Sequence, residues 1–237
     1  MAHETYAITG ASSNQRDATR ALIICAVIAG GLAFDQLVPF WGQTLTSAGV
    51  WLLLWQWVRH APREEKITLV SCVIYATLGE CFLSLAWGLY DYRLGNVPAF
   101  VPPGHALLLM LGIILARRLP DWITWAAPAL AAPFVLLLAA TGADTFGVLL
   151  FAMLVICMAF NRSRKLYAVM FVLSLAMEIY GTWLGNWAWR SDVPWIALTT
   201  TNPPLAAGAF YCVLDLLVMT TLRRYRNRGV VEVAQGA

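Results

Sequence analysis

The sequence predicts an all-α polytopic membrane protein whose eight transmembrane helices form two parallel four-helix repeats. Three observations lead to this prediction. The chain of 237 residues is 60% hydrophobic and only 12% charged, and its mean hydropathy of +0.67 is well above that of an ordinary soluble domain. Its apolar residues fall into eight runs, and lysine and arginine collect in every second connection. No long polar segment remains for another domain, so residues 1–237 are expected to form a single membrane domain.

The eight apolar runs define the expected helices, because a bilayer core needs about twenty mostly apolar residues per span. They cover approximately 20–39, 44–59, 66–90, 103–117, 121–140, 145–161, 166–189 and 204–222. The second and fourth are close to the lower limit of about seventeen residues. Residues 1–19 form a polar tail without the apolar segment of a cleaved signal peptide. The first span is therefore expected to act as the insertion signal, and residues 223–237 form a basic C-terminal tail.

The basic connections predict the orientation of the chain. They lie before the first span and after the second, fourth, sixth and eighth, and contain Arg16, Arg20, Arg59, Arg63, Lys66, Arg117, Arg118, Arg162, Arg164, Lys165, Arg223, Arg224, Arg226 and Arg228. The positive-inside rule assigns such connections to the cytoplasm. Both termini are therefore expected to be cytoplasmic, and the expected location is a bacterial inner (plasma) membrane.

Two segments about a hundred residues apart read alike. The first contains Glu80, Gly88, Tyr90, Tyr92, Arg93, Val97 and Pro98, and the second contains Glu178, Gly185, Trp187, Trp189, Arg190, Val193 and Pro194. Their spacings agree to within one residue. Four helices return the chain to the side where it began, so residues 20–118 and 119–222 are expected to be parallel repeats with a site at their interface. No repeat signal links the first two spans to the fifth and sixth.

Several classes of function are disfavoured by composition. The net charge is only +3, and the basic residues lie between apolar runs, which indicates topology rather than nucleic-acid binding. The five cysteines lie inside apolar runs without metal-ligand spacing, so they are interpreted as packing residues. Of three histidines only His105 is near the expected site, so neither a metal nor another cofactor is expected. The chain has no P-loop, GxGxxG or Ser-His-Asp pattern.

Three carboxyl groups are the expected catalytic residues. Counted at 1.5 Å per residue, Glu80 and Glu178 lie roughly 15 Å from the outer boundary, and Asp215 reaches the same level from the last span. A carboxylate at the bilayer centre costs at least about 2.5 kcal/mol, so such residues usually face the bundle interior. We expect Glu80, Glu178 and Asp215 to converge on one cavity as an acid and base set. Protonated carboxyls in interhelical hydrogen bonds are the structural alternative.

Residues beside these carboxyls are the expected substrate-binding groups. They are Trp87, Tyr90, Tyr92, Arg93, His105, Tyr180, Trp183, Trp187, Arg190, Asn202 and Tyr211. Tryptophans at this height are ordinarily interfacial anchors, and the glycines near Glu178 equally suit helix packing. The two arginines are expected either to pair with Asp91 and Asp192 or to hold an anionic headgroup. His105 is either a proton carrier or a polar cap, and Asp35 is expected to be solvated.

The order Glu80, Gly88, Tyr90, Tyr92 and a proline-containing loop resembles the integral-membrane carotenoid-biosynthesis proteins of the bacterioruberin hydratase type. The resemblance covers about thirty residues in each half. In size, helix content and intramembrane acidic residues the chain is also similar to the small membrane-bound terpene cyclases of meroterpenoid pathways. These resemblances imply protonation of an isoprenoid alkene or epoxide, with Glu80, Glu178 and Asp215 as the matching acids.

The leading hypothesis is a membrane enzyme, of cyclase or hydratase type, that acts on an isoprenoid or other lipid by general acid and base catalysis. Aromatic residues near the carboxyls would stabilise a carbocation, since ring faces attract cations by roughly 0.5 to 2 kcal/mol. The alternatives are a proton-coupled or cation-coupled small transporter or channel, and a noncatalytic lipid-binding subunit. The expected partners are the bilayer and a hydrophobic substrate.

Overall fold

The computed structural model describes residues 10–160 and 163–235, most of which are helical. Eight α-helices occur in this part of the chain, and a π-helical segment continues the third. Their bounds are α1 Gly10–Leu37, α2 Gly42–His60, α3 Arg63–Glu80, the π-segment Cys81–Ala86, α4 Val101–Arg118, α5 Ile123–Ala140, α6 Phe146–Phe160, α7 Arg164–Leu184 and α8 Gly208–Gln235. The all-α class is therefore confirmed. Arg162 and the first nine residues of the predicted tail lie outside the described residues.

Four of these helices are long and apolar enough to cross a membrane, which indicates a membrane protein. The crossing segments are Gln15–Leu37, Arg63–Ala86, Ile123–Ala140 and Arg164–Leu184. Length and composition thus support four of the eight predicted spans in the described residues. The apolar helix α6 illustrates the difference, because its 15 residues are shorter than the roughly twenty that a hydrocarbon core requires.

Two of the predicted helices end earlier than expected, and a strand follows each. The runs 66–90 and 166–189 were expected to be helical throughout, but the helices stop at Ala86 and Leu184. Gly88 and Gly185 follow with φ of +73° and +82°, a left-handed backbone that glycine adopts without strain. The chain then turns into β1, Tyr90–Tyr92, or β2, Trp187–Trp189.

The two strands pair with each other and bring the two similar segments together. They are antiparallel, with Tyr90 opposite Trp189 and Tyr92 opposite Trp187. One further hydrogen bond extends each end of the pair, from Arg93 N–H to the Asn186 carbonyl at 2.9 Å and from Arg190 N–H to the Leu89 carbonyl at 3.0 Å. Successive strand residues point to opposite faces, so the four large rings share one buried face.

The π-helical segment explains why the first glutamate is one residue farther from its following glycine than the second. Gly88 follows Glu80 by eight residues, whereas Gly185 follows Glu178 by seven. A π-turn holds one more residue than an α-turn. In the first segment the wide turn is closed by the Trp87 N–H, which donates to the Phe82 carbonyl at 2.7 Å. Both strands therefore start at equivalent heights despite the extra residue.

The core of the protein is a ring of four helices in the order α3, α4, α7 and α8, each packed on the next. Helices α1 and α2 cover the ring beside α4, and α5 and α6 cover it beside α7 and α8. The strands lie at one end of the ring, here called the strand end. The other, the basic end, contains the ion pairs Arg20–Glu65, Arg226–Glu64 and Lys165–Asp121. The helices run alternately between these ends.

Candidate functional site

Glu80 is held at the inner face of the strand pair. It is the last residue of α3 and is buried, with 6% of its surface exposed. Its Oε2 accepts hydrogen bonds from the hydroxyls of Tyr90 at 2.8 Å and Tyr92 at 2.7 Å. Burial raises the pKa of both phenols well above their usual value. The two tyrosines therefore remain neutral and donate to the carboxyl.

Glu178 has a matching environment on α7. It is 5% exposed, and its Oε2 accepts the indole N–H groups of Trp187 at 2.8 Å and Trp189 at 3.0 Å. The Tyr211 hydroxyl lies 3.1 Å from Oε1. Each glutamate thus receives two donors from alternate positions of one strand. The donors differ, however, because an indole N–H can only donate, whereas a phenol can also accept.

His105 completes the surroundings of Glu80. Its Nδ1 lies 3.0 Å from the carbonyl oxygen of Val101, and because a carbonyl only accepts, Nδ1 carries a hydrogen. Its Nε2 lies 3.4 Å from Glu80 Oε1. Two facing lone pairs would repel each other, so one proton lies on either Nε2 or Oε1. The imidazole stacks on the Tyr211 ring at 4.9 Å with an interplanar angle of 5°, which holds it toward the carboxyl.

Both glutamates face one cavity of about 110 Å³. Side chains from α1, α2, α3, α4, α7, α8 and both strands line it, and most of them are apolar. Its polar groups are those already described, together with Thr46 and Tyr75. Aromatic rings surround the carboxyls on several sides, since Tyr90, Trp187, Trp189 and Tyr211 all line the same space.

Asp215 does not line this cavity, so the prediction that three carboxyls converge on it is wrong for this residue. Tyr211 is the α8 residue that reaches Glu178, one turn closer to the strand end. Asp215 lies deeper, with no exposed surface, and neither carboxyl oxygen has a partner among the described residues. Tyr211 and Asp215 are four residues apart and share one face of α8, but helical spacing does not determine how deep a cavity extends.

The arginines after the two strands are engaged in ion pairs at the strand end. Arg190 donates to both oxygens of Asp91 at 3.0 and 3.1 Å, which raises the arginine pKa. Arg93 instead pairs with Asp35 at 2.8 Å, and Asn186 donates to the other oxygen of Asp35 at 2.9 Å. The expectation that Asp35 is solvated is wrong, because it is only 2% exposed and anchors α1 to the strands.

The other predicted substrate-binding residues divide into two groups. Tyr90, Tyr92, His105, Trp187 and Tyr211 line the cavity, whereas Trp87, Arg93, Tyr180, Trp183, Arg190 and Asn202 do not.

The residues outside the cavity mostly support the strand end. Trp87 donates to the Pro194 carbonyl at 2.8 Å and stacks on Trp195. Asn202 accepts the backbone N–H of Trp189 at 2.9 Å, and Tyr180 donates to the Ala29 carbonyl at 3.0 Å. Trp183 is 77% exposed, as an interfacial anchor would be. These contacts position the strands and the helix ends around the site.

One contact of the candidate site was not predicted. Trp189 donates directly to Glu178, although only Trp187 of these two tryptophans was among the expected substrate-binding residues. The pattern Trp187-Ala188-Trp189 carries a signal for this contact, since residues two apart in a strand share a face. The prediction of a helix over 166–189 did not allow for this contact, because in a helix the two indoles would point in different directions.

Comparison of the chain with protein-family models, with curated proteins and with solved structures gives no significant match. The chemistry of the site therefore follows from its geometry. Two buried carboxyls, one shared proton and a set of aromatic faces can transfer a proton and stabilise a positive charge in an apolar space. Among the described residues, no three histidine, cysteine, aspartate or glutamate side chains are grouped to hold a metal ion.

Proposed function

We propose that this protein is a membrane enzyme that acts on an isoprenoid or similar lipid by general acid and base catalysis, as a cyclase or hydratase. One observation carries the proposal: Glu80 and Glu178 face one apolar cavity, and aromatic side chains donate hydrogen bonds to both. Buried carboxyls in a membrane protein usually mark function, because a purely apolar interior is less costly. An apolar cavity favours a hydrocarbon substrate over a polar one.

The two glutamates are suited to different roles. Glu80 shares its proton with His105, so this pair is the acid that protonates a carbon of an alkene or the oxygen of an epoxide. In an alkene the π electron pair forms the new C–H bond, and in a protonated epoxide the C–O electron pair stays on the oxygen as the ring opens. Either step leaves a carbocation beside the aromatic rings. Glu178 Oε2 accepts two indole N–H groups, and the imidazole of His105 lies beside Glu80 rather than beside Glu178. Glu178 is assigned as the base that removes a proton from the cation, or from a water molecule that adds to it.

The experiment that tests this function begins with the lipid that accompanies the protein. We expect mass spectrometry of lipid extracted from the purified protein to detect an isoprenoid, and the protein to convert isoprenoid alkenes or epoxides into cyclised or hydrated products. The control is the same preparation of a Glu80→Gln, Glu178→Gln double variant, which should bind but not convert. Absence of isoprenoid from the extract, together with no conversion of any alkene or epoxide offered, would reject this function.

A coupled transporter is the second candidate, and one observation favours it. A second cavity, of about 430 Å³, enters the same helix ring from the basic end. Cavities at both ends of a bundle, with the buried Asp215 between them, also suit alternating access. Proton flux into liposomes that contain the protein and no substrate would favour transport, whereas product formation without flux would favour the enzyme.

Eight membrane crossings, two parallel repeats and cytoplasmic termini form the topological part of the proposal. Support comes from the alternating helix directions, the clustering of basic connections at one end, and the matched contacts of the two glutamates. We expect reporter fusions after Gly95 and after Ser163 to report opposite sides of the membrane, because Gly95 lies in a connection at the strand end and Ser163 in a connection at the basic end. The same side for both fusions would contradict this topology.

A further inference from the structure

The two cavities approach each other closely inside the helix ring. On α4 the nearest lining residues are Leu107 for the strand-end cavity and Met110 for the basic-end cavity, about 5 Å apart at 1.5 Å per residue. On α8 they are Leu214 and Met219, about 7 Å apart along the helix. Along α4 and α8, a layer about one helical turn thick therefore separates the basic-end cavity from the cavity that contains Glu178.

Asp215 lies within this layer. It follows Leu214 on α8 and shares the inward stripe with Tyr211, Val218 and Leu222, all of which are buried. Asp215 has no exposed surface and neither of its oxygens has a partner among the described residues. A buried polar group without a protein partner costs about 1 to 3 kcal/mol, so packing alone gives no reason for an acid here. Leucine would fill the position at less cost.

The surroundings of Asp215 can carry a proton but supply no fixed partner. The titratable side chains around it on α3, α7 and α8 are Cys72, Tyr167, Tyr211 and Cys212. The Tyr167 hydroxyl is likewise buried without a partner. Tyr211, one turn away on the same helix, reaches Glu178 at 3.1 Å. Asp215 therefore lies between the basic-end cavity and the Tyr211 hydroxyl, which contacts Glu178, the proposed base.

We propose that Asp215 is a proton carrier that connects Glu178 to the basic-end cavity. After Glu178 has taken a proton, Asp215 releases its own proton to the basic end and receives the one from Glu178 through the Tyr211 hydroxyl and intervening water. Glu178 returns to its ionised form, and the Glu80–His105 pair takes up one proton from solvent, so that each turnover releases and takes up the same number of protons. This inference rests on the proposed function. Asp215 itself touches no substrate, so its role is that of a relay residue.

Hydrogen-deuterium exchange of the carboxyl group tests the relay without any substrate. We expect infrared spectra of the wild-type protein to contain a carbonyl band of a protonated carboxyl that Asp215→Asn removes. Transfer into heavy water should shift this band well before the backbone amides of α8 exchange. If the Asp215 band is absent, or exchanges only as slowly as the backbone amides of α8, the relay is overturned.

Turnover measurements separate a relay from a structural role. In Asp215→Asn we expect the first turnover to be retained, while steady-state turnover falls by roughly tenfold or more and is partly restored by small weak acids. Tyr211→Phe should likewise retain the first turnover and lose steady-state turnover, while the Asp215 carbonyl band exchanges normally. Should Asp215→Asn fail to fold, Asp215→Glu keeps an acid there and should retain steady-state turnover and a shifted carbonyl band. Equal loss in both kinetic phases, without rescue, would overturn the relay.

Failure of the relay and failure of the proposed function give different results. Rapid exchange of the Asp215 carboxyl with no conversion of any isoprenoid would retain a proton carrier and remove the enzyme, which favours coupled transport. Conversion that is insensitive to Asp215→Asn would retain the enzyme and remove the relay.

Discussion

Replacement of Glu80 or Glu178 by glutamine is expected to reduce turnover by about 10²- to 10⁴-fold, because an amide keeps the shape of the carboxyl but cannot exchange a proton. The detergent-solubilised protein should unfold at nearly the wild-type temperature. Product formation and thermal unfolding, measured on the same preparations, test both parts of this prediction. The enzyme hypothesis depends on this separation between activity and stability.

The hydrogen bonds around each glutamate explain why folding should survive. In Glu80→Gln the amide oxygen can accept the hydroxyls of Tyr90 and Tyr92, and the amide nitrogen can donate to His105 Nε2. In Glu178→Gln the amide oxygen can accept both indoles, and the amide nitrogen can donate to the Tyr211 hydroxyl. In both variants the new amide oxygen and nitrogen keep a partner, and loss of a buried partner is what makes such substitutions destabilising.

Asp121→Asn is the matched control for these variants. It makes the same carboxyl-to-amide change at an exposed residue, whose side chain is 97% accessible and pairs with Lys165. Exposed ion pairs contribute about 0 to 1 kcal/mol, so both stability and turnover should stay near the wild-type values. If Glu80→Gln and Glu178→Gln behave like this control, the glutamates are structural and the acid and base mechanism is wrong.

The second large effect is expected from Gly181→Ala. Gly181 lies one turn after Glu178 on α7, and the Trp187 indole packs directly on its backbone. A methyl group at residue 181 would overlap the benzene ring of Trp187. We expect the indole to move and its N–H to lose the hydrogen bond to Glu178. Overpacking of this kind costs about 1 to 3 kcal/mol. We expect a clear drop in the thermal unfolding temperature and a loss of turnover comparable to that of Glu178→Gln.

Gly49→Ala provides the control for that substitution. Gly49 is a helical glycine on α2, and a methyl group there would meet no neighbouring atom within 4 Å. Alanine is favoured over glycine in a helix by about 1 kcal/mol, so this variant should be as stable as the wild type or slightly more stable. A normal Gly181→Ala protein with its tryptophan fluorescence unchanged would show that the Trp187 contact with Glu178 is not part of the site.

The sequence by itself determined the all-α class, the membrane character and the two glutamates that face the cavity. These properties depend on local pattern: an apolar run of sufficient length predicts a helix whatever its neighbours, and a carboxyl inside such a run is costly wherever the helix packs. The similarity between the two segments also identified most of the rings that contact the glutamates. It paired Gly88 with Gly185, and both glycines have the left-handed backbone that starts a strand.

The tertiary structure alone decided how those residues meet. The hydropathy of 166–189 does not distinguish a continuing helix from a helix that ends and returns as a strand, since both bury the same tryptophans. Only pairing with the opposite strand turns Trp187 and Trp189 to one side and onto Glu178. Asp35 is buried because Arg93 and Asn186, distant in the chain, approach its two oxygens. Asp215 lies beyond the cavity because the layer between the cavities is defined by side chains of several helices, which no single stretch of sequence specifies.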